Sequence, residues 1–417
     1  MIRANGKIRN GLIAALDVGS SKVCCLIARQ DGGVLRVVGS GHQVSKGIRN
    51  GLIANMEQAE GSILAAIQAA EDMAKDTLKQ VVVNVSGNHL ASHLVSMEVP
   101  IPAREIGQTD LKRVLAYHPT AAENGRRQLI HSIPVDYSVD GHCGIRDPLG
   151  MFGERLGANL HVVTGAGTSL RNLTTCVARA HLDVEALVVA PYASGLSCLV
   201  EDEVDLGVTI IDMGAGTTTM AVFLNGTVIH TDGIPVGGLH VTNDIARGLS
   251  TPIAHAERLK TLHGHATRSP ADDREVIDVP LIGEETREQP NHVPKSMLVG
   301  IIQPRMEEIF EMVRARLEAG GYDKVAGRRL VLTGGASQLA GVAELAAVML
   351  DKQVRLGRPM RIAGLAELMG GPAFATAAGL LTYAVRRHDE VLFPALPAAA
   401  EANNLIGRFG VWLRENF

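Results

Sequence analysis

Two short stretches of this chain repeat one pattern, and the repeat limits the possible folds more than any other feature. IAALDVGSSKVCCLIARQDG (13–32) and TIIDMGAGTTTMAVFLNG (209–226) each contain an apolar run, an aspartate, a small-residue turn and a second apolar run. The aspartates are Asp17 and Asp212, and aligning them also superposes a glycine two residues later. Two apolar runs joined by a short glycine-containing turn predict a β-hairpin. A unit that recurs at a large spacing predicts two similar domains.

Both turns have the composition of a polyphosphate-binding site. Glycines allow backbone N–H groups to approach phosphate oxygens without a Cβ in the way, and nearby hydroxyls and a lysine add donors and positive charge. Asp17 and Asp212 could hold Mg²⁺ through water, because this ion keeps most of its hydration shell. The candidate residues are Asp17, Gly19, Ser20, Ser21 and Lys22 in the first turn, and Asp212, Gly214, Ala215, Gly216, Thr217, Thr218 and Thr219 in the second. Two ordinary glycine hairpins are the alternative, and the matching positions in both copies favour the phosphate site.

A third stretch, RRLVLTGGASQLAGVAELAAVML (328–350), predicts a strand, a Gly-Gly turn and an amphipathic helix. Its turn residues Gly334, Gly335, Ala336 and Ser337 would permit close approach to an adenosine. The chain has neither a Walker A motif nor the glycine spacing of a dinucleotide-binding fingerprint. Taken alone, this stretch is better explained as a plain strand-to-helix turn.

The three motifs, in this order, resemble the actin, Hsp70 and sugar-kinase superfamily. The resemblance implies an α/β, actin-like fold with two similar domains around a nucleotide cleft, in which the hairpins hold the phosphates of ATP and the Gly-Gly loop holds the adenosine. It also implies that Glu257 and Lys260, in a predicted helix over 255–264, contact the ribose and adenine. On sequence alone these two residues are equally well a solvent-exposed ion pair at i,i+3.

An insertion between the hairpins, Ser86 to Gly165, predicts a separate α/β module with alternating strands and several turns. Its stretches IHSIPVDYSVDG, IRDPLGMFGERL and HVVTG resemble the inserted subdomain of the FtsA family of bacterial cell division proteins. Together with the hairpins, the Gly-Gly loop and the C-terminal end, the resemblance covers nearly the whole chain. It is weakest over 265–295, where EVIDVP predicts one strand.

The family resemblance implies a set of subdomains and a role. The expected boundaries are 1–86, 165–203 and the return helix 371–388 for subdomain 1A, 87–164 for the inserted 1C, 204–243 and 319–370 for 2A, 244–318 for 2B, 389–403 for a linker and 404–417 for an amphipathic helix. The implied protein binds ATP and Mg²⁺, polymerises with itself and tethers the tubulin-like polymer FtsZ to the cytoplasmic face of the inner membrane at the septum. It also recruits later division proteins.

Two positions depart from relatives that hydrolyse ATP. Ala190 stands where Hsp70-like members have an acidic residue, and Thr219 stands where many relatives have an acidic residue or histidine. Both positions are expected near the water that attacks the γ-phosphate. We therefore predict slow hydrolysis at most, and we assign no catalytic residue.

The segment 404–417 contains Trp412, the only tryptophan of the 417 residues, and follows a Pro- and Ala-rich linker. It combines an apolar stripe at helical spacing with basic residues. It is too short to span a bilayer, which needs about 20 residues, but can lie in the membrane interface. Gly407 and Gly410 each weaken a helix by about 1 kcal/mol, so we expect it to fold only on binding. The predicted membrane-binding residues are Leu405, Ile406, Arg408, Phe409, Trp412, Leu413 and Arg414. Docking on a protein surface is the alternative.

Composition excludes several other classes. The net charge of −4 does not indicate a nucleic-acid-binding protein. The five cysteines form no C-x-x-C pair, which argues against a disulfide framework or a zinc site. A sugar or acid kinase would need a general base, for which the sequence has no motif, and a chaperone would need a further substrate-binding domain. A type IV pilus scaffold of the same superfamily has a similar insertion but would not need the amphipathic helix.

Overall fold

The computed structural model describes residues 11–31, 34–116, 126–283, 291–360, 362–365 and 369–386. The strands are β1 (Leu12–Val18), β2 (Lys22–Asp31), β3 (Val34–Val44), β4 (Ile48–Arg49), β5 (Leu52–Ile53), β6 (Gln80–Val85), β7 (Leu90–Glu105), β8 (Arg127–Val139), β9 (His142–Ile145), β10 (Phe152–Ala166), β11 (Asp183–Val189), β12 (Val208–Met213), β13 (Thr218–Leu224), β14 (Thr227–Ile234), β15 (Val276–Val279), β16 (Asn291–Pro294), β17 (Arg329–Thr333) and β18 (Gln353–Leu356). The helices are α1 (Met56–Ala74), α2 (Gln108–Ala116), α3 (Gly167–Arg179), α4 (Ala190–Cys198), α5 (Glu201–Leu206), α6 (Gly238–Gly248), α7 (Ile253–His263), α8 (Lys295–Ala319), α9 (Tyr322–Val325), α10 (Val342–Leu350) and α11 (Ala375–Arg386).

Two five-stranded sheets have the same topology, one in each half of the chain. The strand orders are β11-β6-β1-β2-β3 and β18-β17-β12-β13-β14. In each sheet the predicted hairpin continues into an antiparallel third strand, and the first strand of the hairpin pairs in parallel with a later one. The central strands β1 and β12 are buried along nearly their whole length, as expected for sheets covered on both faces. The predicted pair of similar α/β domains is confirmed.

Helix α1 shows how the sequence builds the first domain. The side chain of Asn55 caps its N-terminus by accepting a hydrogen bond from the Gln58 N–H at 3.0 Å. Small and branched apolar residues at helical spacing form its buried face, including Ile63 and Ala66. Strand β3 accommodates the helix with Gly41, because a Cβ there would lie 2.1 Å from the Ala66 carbonyl oxygen. The helix therefore packs directly on the sheet and fixes the position of the first hairpin.

The insertion forms a four-stranded antiparallel sheet of order β7-β10-β8-β9, with α2 packed on it. It has a core of its own, which includes Ile106, Val114 and Leu160. The hydroxyl of Ser92 ties it to the second domain by accepting a hydrogen bond from the Thr231 N–H at 3.2 Å. The inserted α/β subdomain, part of the predicted fold class, is therefore confirmed.

Helices α4 and α11 cross between the two domains. Gly379 of α11 lies so close to α4 that a Cβ there would be 1.8 Å from the carbonyl oxygen of Ala193. Helix α4 packs on β12 and β13, while α11 packs on β1, β2 and β6. This pair of helices positions the two hairpins on opposite sides of one cleft.

One of two shorter elements predicted from the sequence lies where it was expected, and the other begins later. The strand predicted from EVIDVP is confirmed as β15. The helix predicted directly after the Gly-Gly turn begins only at Val342, because a 3₁₀ turn (Gly335–Gln338) and a left-handed glycine, Gly341 with φ 77°, come first. No helix of the described residues is long and apolar enough to cross a bilayer. The predicted linker and amphipathic helix lie outside the described residues.

Candidate functional site

A cavity of about 720 Å³ lies between the two domains, and all three sequence motifs contribute to its lining. Of the predicted ATP-binding residues, all except Thr218 and Ser337 line the cavity. Residues separated by more than 300 positions in the sequence, such as Lys22 and Gly335, therefore face the same space. Further polar residues that the sequence did not single out as ligands also line the cavity or contact its lining side chains: Asn84, Ser86, Ser194, Thr242, Thr261, Gln338 and Thr376.

The two hairpin turns have the same internal geometry. The Gly19 N–H donates to the Lys22 carbonyl at 3.0 Å, and the Gly214 N–H donates to the Thr217 carbonyl at 2.9 Å. A Cβ on either glycine would lie 2.9 Å from the same carbonyl oxygen. Glycine is therefore required at the same place in both turns.

The turns also meet each other at one end of the cavity. A Cβ at Gly216 would lie 2.5 Å from the Ser20 hydroxyl of the opposite turn. That hydroxyl accepts a hydrogen bond from the Gly51 N–H at 3.3 Å. Gly216 thus permits the backbone of one turn to approach the side chain of the other.

The carboxylate of Asp17 lies at the end of β1, close to Asn84 on the neighbouring strand β6. Asn84 donates from Nδ2 to Asp17 Oδ1 at 2.7 Å, and its own Oδ1 accepts from the Val18 N–H at 2.6 Å. Burial raises the pKa of Asp17 to about 7; the positive charge of Lys22 opposes this shift, and the negative charge of Asp212 adds to it. The only sequence signal for Asn84 is its polar side chain within the buried run VVVNV (81–85) of β6.

Asp212 occupies the equivalent position at the end of β12. Its Oδ2 accepts hydrogen bonds from the hydroxyls of Ser194 at 2.5 Å and Thr376 at 2.8 Å. Burial raises the pKa of this carboxyl as well, while the two hydroxyls and Lys22 act in the opposite direction. Sequence reasoning missed both hydroxyls, which come from the middle of α4 and the start of α11.

The two carboxylates fit a hydrated divalent cation. Within the described residues no hydrogen bond reaches Asp17 Oδ2 or Asp212 Oδ1. A cation between them would offset the cost of burying the two carboxylates, and burial is the main cause that raises both pKa values. No group of three or more His, Cys, Asp or Glu side chains in the described ranges is placed to hold a metal ion. The donor set is thus suited to Mg²⁺ held through water rather than in a cage of protein ligands.

The two glycines of the Gly-Gly loop have different roles: Gly334 determines the backbone conformation, and Gly335 faces the cavity. Gly334 has φ 86°, and a Cβ there would lie 2.4 Å from Asp212 Oδ1. At Gly335 the nearest atom to a Cβ is the Ala373 Cβ at 3.9 Å, so the space there is open. Ser337 does not line the cavity, because its hydroxyl turns back to the Gly334 carbonyl at 2.7 Å and stabilises the 3₁₀ turn.

Thr218 is the other predicted ligand that the structure places elsewhere. Its hydroxyl donates to the Val236 carbonyl at 2.8 Å, and its side chain is fully buried. Side chains alternate between the two faces of a strand, so Thr219, the next residue of β13, points to the cavity instead. Ala190 also lines the cavity, at the start of α4.

Glu257 and Lys260 of α7 line the opposite wall and contact each other. Lys260 Nζ lies 2.7 Å from Glu257 Oε2, and it also donates to the Thr242 hydroxyl at 2.8 Å and the Gly238 carbonyl at 3.1 Å. The ion pair that the i,i+3 spacing predicts is therefore present, and it faces the cavity, whereas its contact with ribose and adenine stays a prediction. The hydroxyl of Thr242, which was not predicted, forms hydrogen bonds with both residues of this pair.

Comparison with known proteins agrees with this architecture. The family described as cell division protein FtsA matches residues 209–379, and the family described as the SHS2 domain inserted in FtsA matches residues 87–164. A cell division protein FtsA of Agrobacterium fabrum is 44% identical over 426 aligned residues, which cover 98% of this chain and 96% of that protein. The chain belongs to the FtsA family of cell division proteins. Membership in this family confirms the resemblance inferred from the sequence.

Solved structures with the same fold include more distant proteins. A PilM–PilN type IV pilus biogenesis complex aligns with a TM-score of 0.64 at 18% identity and covers 91% of this chain and 99% of the other. MreB5 of Spiroplasma citri bound to ADP aligns with a TM-score of 0.54 at 13% identity, covering 90% and 96% respectively. At such low identity the likeness extends to the fold alone. The actin-like fold of this FtsA family member is thereby confirmed.

Proposed function

We propose that this FtsA family member binds ATP with Mg²⁺ in the cleft between its two domains. The observation that carries the proposal is the convergence of the two matching turns and the Gly-Gly loop on one cavity. Small residues on both turns leave room for phosphate oxygens near backbone N–H groups. The structure of MreB5, which shares the fold, contains ADP.

Each wall of the cavity has a distinct chemical task in this proposal. The turns at Asp17–Lys22 and Asp212–Thr219 surround the phosphates, and the two aspartates hold the magnesium ion through its water molecules. Gly335 lies against the adenosine, while Glu257 and Lys260 offer an acceptor and a donor to the ribose and the adenine. Mg²⁺ supplies positive charge between the phosphates and the buried carboxylates.

The placement of the adenosine is tested with two variants of one residue. Gly335→Ala adds a methyl group into open space and should leave folding intact, whereas Gly335→Asp extends a carboxylate into the adenosine volume. We expect MgATP affinity, measured by titration with a fluorescent ATP analogue, to fall at least tenfold for Gly335→Asp and much less for Gly335→Ala. Equal affinities for parent and Gly335→Asp would place the adenosine elsewhere.

We further propose that the protein tethers the FtsZ polymer to the cytoplasmic face of the inner membrane at the septum, self-associates into filaments and recruits later division proteins. Its similarity to FtsA proteins over nearly the whole chain supports this role. The membrane contact is assigned to 404–417. Each arginine near an anionic surface contributes roughly 1 kcal/mol, so one tail binds weakly. A filament that presents many tails could gain about 10²–10⁴-fold in avidity.

Liposome pelleting tests the tail. Trp412→Glu should abolish pelleting with anionic vesicles without changing MgATP affinity, because the tail is separated from the cleft by the linker. Trp412→Phe keeps an apolar ring and is the matched control. Since Trp412 is the only tryptophan, its fluorescence should shift to the blue on addition of vesicles. Pelleting that survives Trp412→Glu would mean that the stripe binds protein instead of lipid.

A further inference from the structure

The side chain of Lys22 is held by a turn from the far end of the chain. Its ammonium nitrogen lies 3.3 Å from the centroid of the Phe374 ring and donates a hydrogen bond to the Ala373 carbonyl. Phe374 belongs to the 3₁₀ turn Pro372–Phe374 that precedes α11. An ammonium at this distance from an aromatic face is attracted by the negative potential of the ring.

The same turn is also connected to the other two elements of the proposed nucleotide site. The Pro372 carbonyl accepts a hydrogen bond from the Gly334 N–H at 3.1 Å, and Thr376, two residues after Phe374, donates to Asp212 at 2.8 Å. Residues 372–376 therefore contact the first hairpin, the second hairpin and the Gly-Gly loop. The position of the Phe374 ring is determined by groups on both sides of the cleft.

This arrangement keeps the ammonium of Lys22 near the carboxylates without pairing it to them. Asp17 and Asp212 both attract Lys22, yet among the described residues it forms no ion pair with either. If this lysine were paired with the carboxylates, they would neutralise its positive charge, and it would attract an incoming anion less strongly. A long flexible side chain that is already held also loses less rotamer freedom when a ligand binds.

We propose that Phe374 is a positioning residue for Lys22: its ring holds the ammonium at the cleft, ready for the phosphates of the nucleotide. This inference rests on the proposed binding of ATP and adds a residue that no sequence motif indicated. If the inference is right, Phe374 affects binding only through the charge of Lys22. Its replacement should then weaken the binding of ligands that carry phosphate and of no others.

Four variants and two ligands separate this role from a merely structural one. Phe374→Leu keeps an apolar side chain but removes the ring, and Phe374→Tyr keeps the ring. Lys22→Met removes the charge, and Lys22→Met/Phe374→Leu completes a double-mutant cycle. MgATP affinity is measured by calorimetry, and affinity for adenosine by ligand-observed NMR.

We expect Phe374→Leu to weaken MgATP binding about threefold to tenfold, which corresponds to the cost of immobilising one long side chain when the ligand binds. Adenosine affinity should stay within about twofold of the parent, Phe374→Tyr should retain MgATP affinity, and Phe374→Leu should have no further effect once Lys22 is methionine. Equal losses for MgATP and adenosine, or additive losses in the cycle, would show that the ring only supports the fold. A parent protein that binds no MgATP would overturn the proposed function itself, whereas a parent that binds while Phe374→Leu is unchanged would overturn only this inference.

Discussion

Replacing Asp17 with asparagine tests whether the cleft carboxylates destabilise the protein in the absence of a cation. Burial raises the pKa of Asp17 from 3.8 to about 7. Because the folded-state pKa lies above the unfolded one, ionisation costs the folded state more. The free energy of unfolding therefore falls as the pH rises from about 4 to 7, and the loss is complete above pH 7. At 1.36 kcal/mol per pKa unit, the full loss is about 4 kcal/mol.

Asparagine does not titrate, so the effect is isolated by comparing Asp17→Asn with the parent. The amide can still accept the hydrogen bond that Asn84 donates. Urea unfolding is followed by far-UV circular dichroism without nucleotide or Mg²⁺. We expect the stability of the variant relative to the parent to rise by roughly 2–3 kcal/mol between pH 5 and pH 8.

The control removes the same charge from an exposed position of α1, Asp72→Asn. Its stability relative to the parent should be nearly the same at both pH values. The reasoning is refuted if Asp17→Asn shows no more pH dependence than this control. In the cleft itself, Asp17→Asn should also weaken nucleotide binding in the presence of Mg²⁺, since the variant removes a carboxylate that faces the cation. In EDTA it should leave binding equal or tighter, because the lost carboxylate then only repels the phosphates.

Further predictions concern hydrolysis and the fold. With Ala190 and Thr219 at the cleft, steady-state phosphate release should be orders of magnitude below the typical enzyme value of about 10 s⁻¹, and a rate of several per second would contradict this. Gly334→Ala, at φ 86°, should lower the free energy of urea unfolding by at least about 2 kcal/mol, because its Cβ would meet Asp212 as well as strained backbone. Ser92→Ala should cost about 1–3 kcal/mol in the same assay by leaving the buried His161 ring and the Thr231 N–H without this partner; an unchanged midpoint would show that water replaces the hydroxyl.

Local patterns determined much of what could be read from the sequence. The two hairpins and their turn glycines depend on neighbours within about twenty residues, and strand and turn propensities act over that distance. Gly19 and Gly214 illustrate this, because the hydrogen bond that excludes a Cβ at each closes within the same turn. The internal repeat then predicted two domains without any information on how they pack.

Tertiary structure alone decided which side chains surround the aspartates and the lysine. Asn84 meets Asp17 because β6 pairs with β1, and Phe374 meets Lys22 because α11 crosses back between the domains. Thr218 and Ser337 lie away from the cavity for a more local reason, because the carbonyls of Val236 and Gly334 accept hydrogen bonds from their hydroxyls. The contacts of Asn84 and Phe374, by contrast, follow from strand register and helix crossing, which result from packing the whole core. A single sequence carries no local signal for them, since the partners lie far apart along the chain.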